Sequence, residues 1–103
     1  MNISTVSNKD IPELIREHMA LFDSFEYVYL FGSVLNPSVT FNDIDILAIY
    51  KEYSSKISND LRLIVDELEK VCGWTVDLTA LSIEEEKETA FLERIKHRYL
   101  KLK

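Results

Sequence analysis

The segment that decides the fold is residues 30–50, which reads LFGSVLNPSVTFNDIDILAIY. It begins as an apolar strand, breaks at Gly32 and Ser33, passes an Asn-Pro-Ser turn and returns as a second apolar strand. The second strand opens with Asp43 and Asp45, although aspartate is depleted in strands and a buried unpaired carboxylate is costly. The segment therefore predicts two strands whose junction carries polar groups that a core does not need.

The two aspartates of the second strand point to a metal ion. Alternation along a strand places Asp43 and Asp45 on one face and Ile44 on the other. Two carboxylates roughly 7 Å apart on one strand repel each other unless a cation lies between them. Hard oxygen ligands suit Mg²⁺ or Mn²⁺, which also keep waters and bind substrate phosphates. The pair therefore predicts a divalent metal site.

A third carboxylate interrupts another apolar strand. Asp77 lies within the sequence Trp-Thr-Val-Asp-Leu-Thr. If this strand pairs beside the second one, Asp77 joins the face that holds Asp43 and Asp45. Three such carboxylates could build a two-metal site for phosphoryl transfer, in which the ions stabilise charge on the attacking and leaving groups.

Gly32 and Ser33 predict a place for phosphate beside this metal site. A glycine after a strand lets the backbone approach a phosphate closely. Backbone N–H groups and the Ser33 hydroxyl can then bind terminal phosphates, especially if a short helix starts at Ser33. Each feature alone also has a structural explanation, since Gly32 could serve a tight turn, Asp43 could cap a turn and Asp45 could lie on a solvated face. Their combination favours the phosphate and metal site.

Apolar spacing along the rest of the chain predicts a small mixed architecture. The predicted helices are one over residues 11–24 with a capped start at Asp10, one that ends at Gly73, and a last one that starts near Ile83. A capping box at Ser82 and Glu85 indicates the start of the last helix. The predicted strands cover residues 27–31, 44–50 and 74–81. Residues 97–103 could remain helical, but alternation over residues 100–103 favours a short edge strand. The fold class is therefore α/β (α+β), with a mixed sheet of three to four strands and helices packed mainly on one face.

Composition limits the possible functions. A chain of 103 residues fits a single domain over residues 1–103, and its net charge of −6 gives no diffuse attraction for nucleic acid. The single cysteine, Cys72, fits a buried structural thiol in a reducing compartment, so we expect a cytoplasmic protein. The first ten residues resemble no signal peptide, and no apolar run approaches the about 20 residues of a membrane span.

Other polar residues are interpreted as structural or solvated. His18 and His97 lack partners at the spacing of a zinc site or a catalytic triad. The acidic run at residues 84–86 suits the first turn of a helix. The basic C-terminal residues are interpreted as a solvated face, with contact to a partner or RNA as the alternative. These basic residues are Arg94, Lys96, His97, Arg98, Lys101 and Lys103.

The motif resembles that of a known superfamily. Phe31-Gly32-Ser33, nine intervening residues and Asp43-Ile44-Asp45 resemble the signature of the nucleotidyltransferases that include DNA polymerase beta, and Asp77 is similar to their third carboxylate. The short chain, the N-terminal helix and the Glu-rich tail with Phe91 most resemble the minimal nucleotidyltransferases (MNT). The resemblance covers about residues 10–100.

This resemblance implies a fold, a reaction and a partner. It implies the nucleotidyltransferase fold, with Asp43, Asp45 and Asp77 as catalytic and metal-binding residues and Asp77 helping to activate the acceptor hydroxyl. Gly32 and Ser33 would hold the β- and γ-phosphates of ATP. The reaction would be Mg²⁺-dependent transfer of AMP to a hydroxyl with release of pyrophosphate. Many minimal members are antitoxins paired with a HEPN-type toxin, so a partner protein and a homo- or hetero-oligomer are expected, without a membrane or strong nucleic-acid binding.

The segment after Ser33 departs from the family pattern. Family members usually continue as Gly-Ser-Arg-x-Arg-Gly, whereas this chain reads Gly-Ser-Val-Leu-Asn-Pro. Phosphate charge would then rest on metal and backbone, since Lys51 and Lys56 are interpreted as solvated. The alternative function is a catalytically degenerate module that neutralises a partner by contact. A further alternative is a nucleotidyltransferase for small molecules, which would need a partner subunit to bind the acceptor.

Overall fold

The computed structural model describes residues 6–103. The helices and strands follow one another along the chain in the order that the apolar spacing predicts, and the last predicted helix is divided into two short helices. The elements are α1 (Ile11–Glu17), a 3-10 helix (Met19–Phe22), β1 (Tyr27–Phe31), a second 3-10 helix (Ser33–Leu35), β2 (Asp43–Tyr50), α2 (Ser55–Cys72), β3 (Thr75–Ser82), α3 (Ile83–Thr89), α4 (Phe91–Arg94) and β4 (Tyr99–Lys101).

The strands form one mixed sheet in the order β3-β2-β1-β4. β1 pairs antiparallel with β2 on one side and with β4 on the other. β2 and β3 are parallel, and α2 makes the crossover that a parallel pair requires. The sheet confirms the expected α/β fold of three to four strands. It also confirms the prediction that the end of the chain returns as a short edge strand.

One face of the sheet is covered by α1 and α2. The even-numbered residues from Val28 to Ala48 in β1 and β2 point to this face and are almost fully buried there, as their alternation requires. The apolar stripe of α2 packs on them, and Gly73 ends this helix with φ of 79°. The main buried residues of this core are Ile11, Phe22, Phe25, Val28, Leu30, Ile44, Ile46, Ile64 and Leu68.

The opposite face is only partly covered. Tyr29, Leu47 and Ile49 form a smaller apolar cluster there, against which α3 and α4 pack. The acidic start of β2 lies on this second face, and Asp43 is exposed. The prediction that helices pack mainly on one face is therefore confirmed, and the other face keeps room for a site.

The first helix is shorter than predicted. It ends at Glu17 rather than at residue 24, and a separate 3-10 helix follows. The reason is His18, whose ring Nδ1 lies 2.8 Å from the Leu14 carbonyl oxygen, the group that its own backbone N–H would contact in a continuing α-helix. The His18 N–H instead bonds to the Ile15 carbonyl at 3.0 Å, which tightens the turn.

The predicted helix cap of α3 is present in the structure, whereas the predicted cap of α1 is not. Ser82 and Glu85 form the complete capping box of α3. Asp10 occupies the N-cap position of α1, but its carboxylate accepts a hydrogen bond from the Ser7 hydroxyl and makes no capping bond. The expectation of a side-chain cap at Asp10 is therefore wrong. β3 begins and ends one residue later than the predicted 74–81.

The two faces of α2 allow a direct test of the core. Ile64 is fully buried, whereas its neighbour Leu63 is 55% exposed. We expect Ile64→Ala to lower the free energy of unfolding by about 2–5 kcal/mol, because it removes buried methyl groups and leaves a cavity. Leu63→Ala is the matched control and should change stability by about 0.5 kcal/mol or less. Urea denaturation measures both, and equal effects would contradict the assigned helix face.

Candidate active site

The acidic residues of β2 and β3 lie side by side on the partly open face. In the parallel β2–β3 pair, Asp45 is directly opposite Asp77, and Asp43 lies two residues before Asp45. Neighbouring strands are about 4.8 Å apart, so side chains at paired positions are neighbours on the same face. Ile44 and Val76 between them point into the core on the other face. The backbone thus places these three carboxylates together on the second face.

Gly32 lies against this acidic group. β1 ends with Phe31 opposite Asp45, and Gly32 follows with φ of 85° and ψ of −161°. This conformation is essentially restricted to glycine. A Cβ atom at Gly32 would overlap the Asp45 carboxylate and lie 3.2 Å from its Cγ. The Asp45 carboxylate therefore lies in the space that a side chain at residue 32 would occupy.

The chain turns sharply after Gly32. A single 3-10 turn begins at Ser33, as the sequence suggested, with the Leu35 N–H donating to the Gly32 carbonyl at 3.1 Å. The Asn36 side-chain oxygen then accepts a hydrogen bond from the Ser38 N–H at 3.0 Å, which fixes the next turn. These bonds hold Gly32 and Ser33 at the end of β1, beside the acidic group.

The acidic group is electrostatically unfavourable by itself. Burial, followed by the negative charges of Asp77 and Asp43, raises the pKa of Asp45 above its usual value. A divalent cation would remove this repulsion, and carboxylate oxygens are the donors that Mg²⁺ and Mn²⁺ prefer. Within residues 6–103, however, no three or more His, Cys, Asp or Glu side chains are already arranged around a common point. The donor chemistry of these carboxylates fits a metal that also takes oxygen from water and phosphate.

Sequence comparison identifies the family to which this arrangement belongs. The family model described as polymerase beta, nucleotidyltransferase, matches residues 13–99, which include Gly32 and all three aspartates. The chain belongs to the polymerase beta-like nucleotidyltransferase family. No curated protein matches it significantly.

Solved structures show the same nucleotidyltransferase fold. The chain matches the Shewanella oneidensis complex of a tri-AMPylated HEPN toxin with an MNT antitoxin at 17% identity and a TM-score of 0.59, covering 95% of this chain and 72% of that one. A toxin–antitoxin complex with two Asp-to-Glu substitutions two positions apart matches at 18% identity and 0.59, covering 95% and 73%. A candidate nucleotidyltransferase from Sulfolobus solfataricus matches at 26% identity and 0.52, covering 92% and 78%.

The two lysines that could replace the missing family arginines lie away from Gly32. Lys56 bonds to the Asp60 carboxylate and the Ser24 hydroxyl, both at 2.9 Å, near the start of α2. Lys51 follows the far end of β2, roughly 25 Å along the strand from Asp43. Neither lysine is placed to contact a phosphate at Gly32.

Two other residues that could carry chemistry, Cys72 and His18, have structural contacts. The Cys72 thiol is buried, and burial raises its pKa. His18 bonds to the backbone of α1. Between residues 6 and 103, no helix is long and apolar enough to cross a membrane.

An aromatic pair beside the acidic group was not identified from the sequence. The rings of Phe31 and Phe91 are 5.4 Å apart in an edge contact, and Phe31 is the cross-strand partner of Asp45. Phe91 had been noted only as part of the family resemblance. Alternation along β1 places Phe31 on the acidic face, but the contact with α4 depends on how the chain folds back after β3. The pair gives the candidate site an apolar wall.

The repulsion around Asp45 predicts that this residue lowers stability when no cation is present. Its raised pKa means that the folded chain keeps a proton to higher pH than the unfolded chain, so stability falls as pH rises above 3.8. We expect Asp45→Asn to raise the Tm at pH 7 in metal-free buffer by a few degrees at most, because the carboxyl is partly exposed and solvent screens the repulsion. Asp66→Asn, on the exposed side of α2, is the matched control. A Tm that is unchanged at Asp45 would contradict this assignment.

Proposed function

We propose that this protein is a Mg²⁺-dependent nucleotidyltransferase that transfers AMP from ATP to a hydroxyl of a HEPN-type toxin, and so acts as a cytoplasmic antitoxin. The observation that carries the proposal is the Asp45–Asp77 pair, with Asp43 beside it and the Asp45 carboxylate against Gly32. Carboxylates that repel each other on a protein surface require a counter-charge, and a metal-bound nucleotide supplies one.

Each residue has a distinct part in this reaction. Asp43 and Asp45 would hold the metal ion, which supplies charge stabilisation for the reacting phosphate. Asp77 would complete the metal-binding set and orient the acceptor hydroxyl by accepting its proton. Gly32 and Ser33 would contact the β- and γ-phosphates, because no side chain at Gly32 separates the backbone from the acidic group.

The proposed partner is supported by the structural neighbours. One is a complex in which an MNT antitoxin accompanies a HEPN toxin that carries three AMP groups. In another toxin–antitoxin complex, two aspartates with the spacing of Asp43 and Asp45 are changed to glutamate. These likenesses are of fold, so the same acceptor class is our proposal for this chain.

Label transfer tests the proposed reaction. The protein is incubated with a HEPN-domain protein encoded next to it, Mg²⁺ and ATP labelled at either the α- or the γ-phosphate. We expect the partner to acquire the α-label and never the γ-label, and to gain the mass of AMP. When EDTA is added before the ATP, the partner should acquire no label. Transfer of the γ-label would indicate a kinase, and no transfer would contradict the proposal.

The second candidate function is neutralisation by contact alone. The observation that favours it is the absence of arginines directly after Ser33, which leaves the expected phosphate contacts unfilled. This function predicts that the complex with the partner forms without nucleotide and survives Asp43→Ala/Asp45→Ala. Size-exclusion chromatography, with a toxin activity assay, separates the two functions, because only the first requires ATP for neutralisation.

A further inference from the structure

A short basic segment, residues 94–98, lies at the end of the sheet where Gly32 lies. The antiparallel β1–β4 pair ends with Phe31 opposite Tyr99. Residue 98 therefore comes just before β4 begins, where β1 gives way to Gly32. Because the strand order is β3-β2-β1-β4, this segment and the carboxylates flank the end of β1 from opposite sides.

Aromatic contacts place this basic turn on the acidic face of the sheet. The His97 ring lies 6.1 Å from the Tyr99 ring, and Tyr99 in turn lies 5.0 Å from Tyr29. Tyr29 belongs to the apolar cluster of the second face, together with Leu47 two residues after Asp45. The turn is therefore attached to the side of the sheet on which Asp45 lies.

The turn carries positive charge that has no structural use. Arg94, Lys96, His97 and Arg98 are all exposed. The ion pairs found within residues 6–103 join Arg16 to Glu13 and Lys56 to Asp60, so none involves this turn. In a chain of net charge −6, such exposed cations at the same end of the sheet as Gly32 are available for an anionic ligand.

The backbone of the turn is strained. Lys96 and His97 have φ of 57° and 58°, a left-handed conformation that is unfavourable for non-glycine residues. The N–H of Lys96 donates to the Glu93 carbonyl at 2.8 Å, and that of His97 to the Leu92 carbonyl at 3.1 Å. Glycine would fit this conformation without strain, so the side chains found here are not explained by the turn itself.

We propose that this basic turn binds the polyphosphate of the nucleoside triphosphate, in place of the arginines missing after Ser33. The inference rests on the proposed function and adds to it residues that hold the substrate. Lys96 and Arg98 are binding residues for the β- and γ-phosphates, which would otherwise face only carboxylates, metal and backbone. Phosphate oxygens accept charge-assisted hydrogen bonds from lysine and arginine, and these exceed neutral bonds in strength.

The test compares two variants that remove the same charge from opposite ends of the sheet. Lys96→Gly/Arg98→Gln removes two cations from the turn, and glycine relieves the strain at residue 96, so the Tm should not fall. Lys51→Gln/Lys101→Gln is the control, because Lys51 follows β2 at its far end and the Lys101 Nζ lies 5.0 Å above the Tyr27 ring. Affinities for ATP and AMP with Mg²⁺ are measured by titration calorimetry on the full chain.

We expect the turn variant to bind ATP about tenfold more weakly, equal to about 1.4 kcal/mol, while its affinity for AMP changes little. Its ATP affinity should also depend less on salt, because fewer charges contact the phosphates. The control should bind ATP as the wild type does.

The remaining outcomes separate this inference from the proposed function. If the turn variant bound ATP as tightly as the wild type does, the inference would be overturned and the proposed function would still stand. Equal losses in the two variants, or equal losses for ATP and AMP, would also overturn it, since the effect would not be local to the polyphosphate. Wild-type protein that does not bind ATP would overturn both.

Discussion

Asp45→Asn is expected to reduce AMP transfer by about a thousandfold or more while leaving the protein folded. Asp45 is the central carboxylate, opposite Asp77 in the sheet and two residues after Asp43. Its loss removes a metal ligand, and a thousandfold effect corresponds to about 4 kcal/mol of transition-state stabilisation, within what a bound metal supplies. The measurement is the initial rate of α-label transfer to the partner at saturating ATP.

The same substitution separates loss of chemistry from loss of structure. Because it removes a repulsive charge, Asp45→Asn should have a higher Tm than the wild type in metal-free buffer. Asp66→Asn, which makes the same change on exposed α2, should transfer AMP at the normal rate. Transfer by Asp45→Asn at the wild-type rate would exclude Asp45 as a ligand of the reacting metal and would contradict the proposed site.

Gly32→Ala is expected to cost both stability and nucleotide binding. Alanine is strained at φ of 85° and ψ of −161°, and its Cβ would overlap the Asp45 carboxylate. The strain alone costs about 1–3 kcal/mol, and the carboxylate must also move away from its position beside the backbone. We therefore expect a Tm lowered by roughly 5–15 °C and no detectable stabilisation by ATP with Mg²⁺.

Gly73→Ala is the matched control for this change. Gly73 also has positive φ, at 79°, but it ends α2 in the ordinary left-handed conformation of a helix cap. Alanine there should cost about 1 kcal/mol and leave ATP binding intact. If Gly32→Ala bound ATP as Gly73→Ala does, the close approach at Gly32 would have no role in binding nucleotide.

Features set by neighbouring residues could be predicted from the sequence. Gly73 ends α2 and Ser82 caps α3 because each acts on the backbone within a few residues. The shared face of Asp43 and Asp45 follows from strand alternation. The position of Gly32 at a strand end also follows from its neighbours in the sequence. Its contact with Asp45 does not, because that contact depends on the pairing of β1 with β2.

Features set by distant parts of the chain could not be predicted. The early end of α1 results from a ring contact of His18 that competes with the helix, and helical spacing does not reveal this contact. The basic turn was interpreted as a solvated face, because nothing in its local sequence shows that β4 pairs with β1 and brings residue 98 beside Gly32. Register between distant strands depends on packing of the whole sheet.

The parallel pairing of β2 with β3 has a consequence for synthesis of the protein. A hairpin cannot join parallel strands, so Asp77 reaches Asp45 only after the intervening helix has formed and packed. A nascent chain that has emerged only as far as that helix therefore lacks one carboxylate of the site and all of the basic turn. Such a chain could bind ATP only weakly, and the proposed AMP transfer would require residues 77–98 to have left the ribosome.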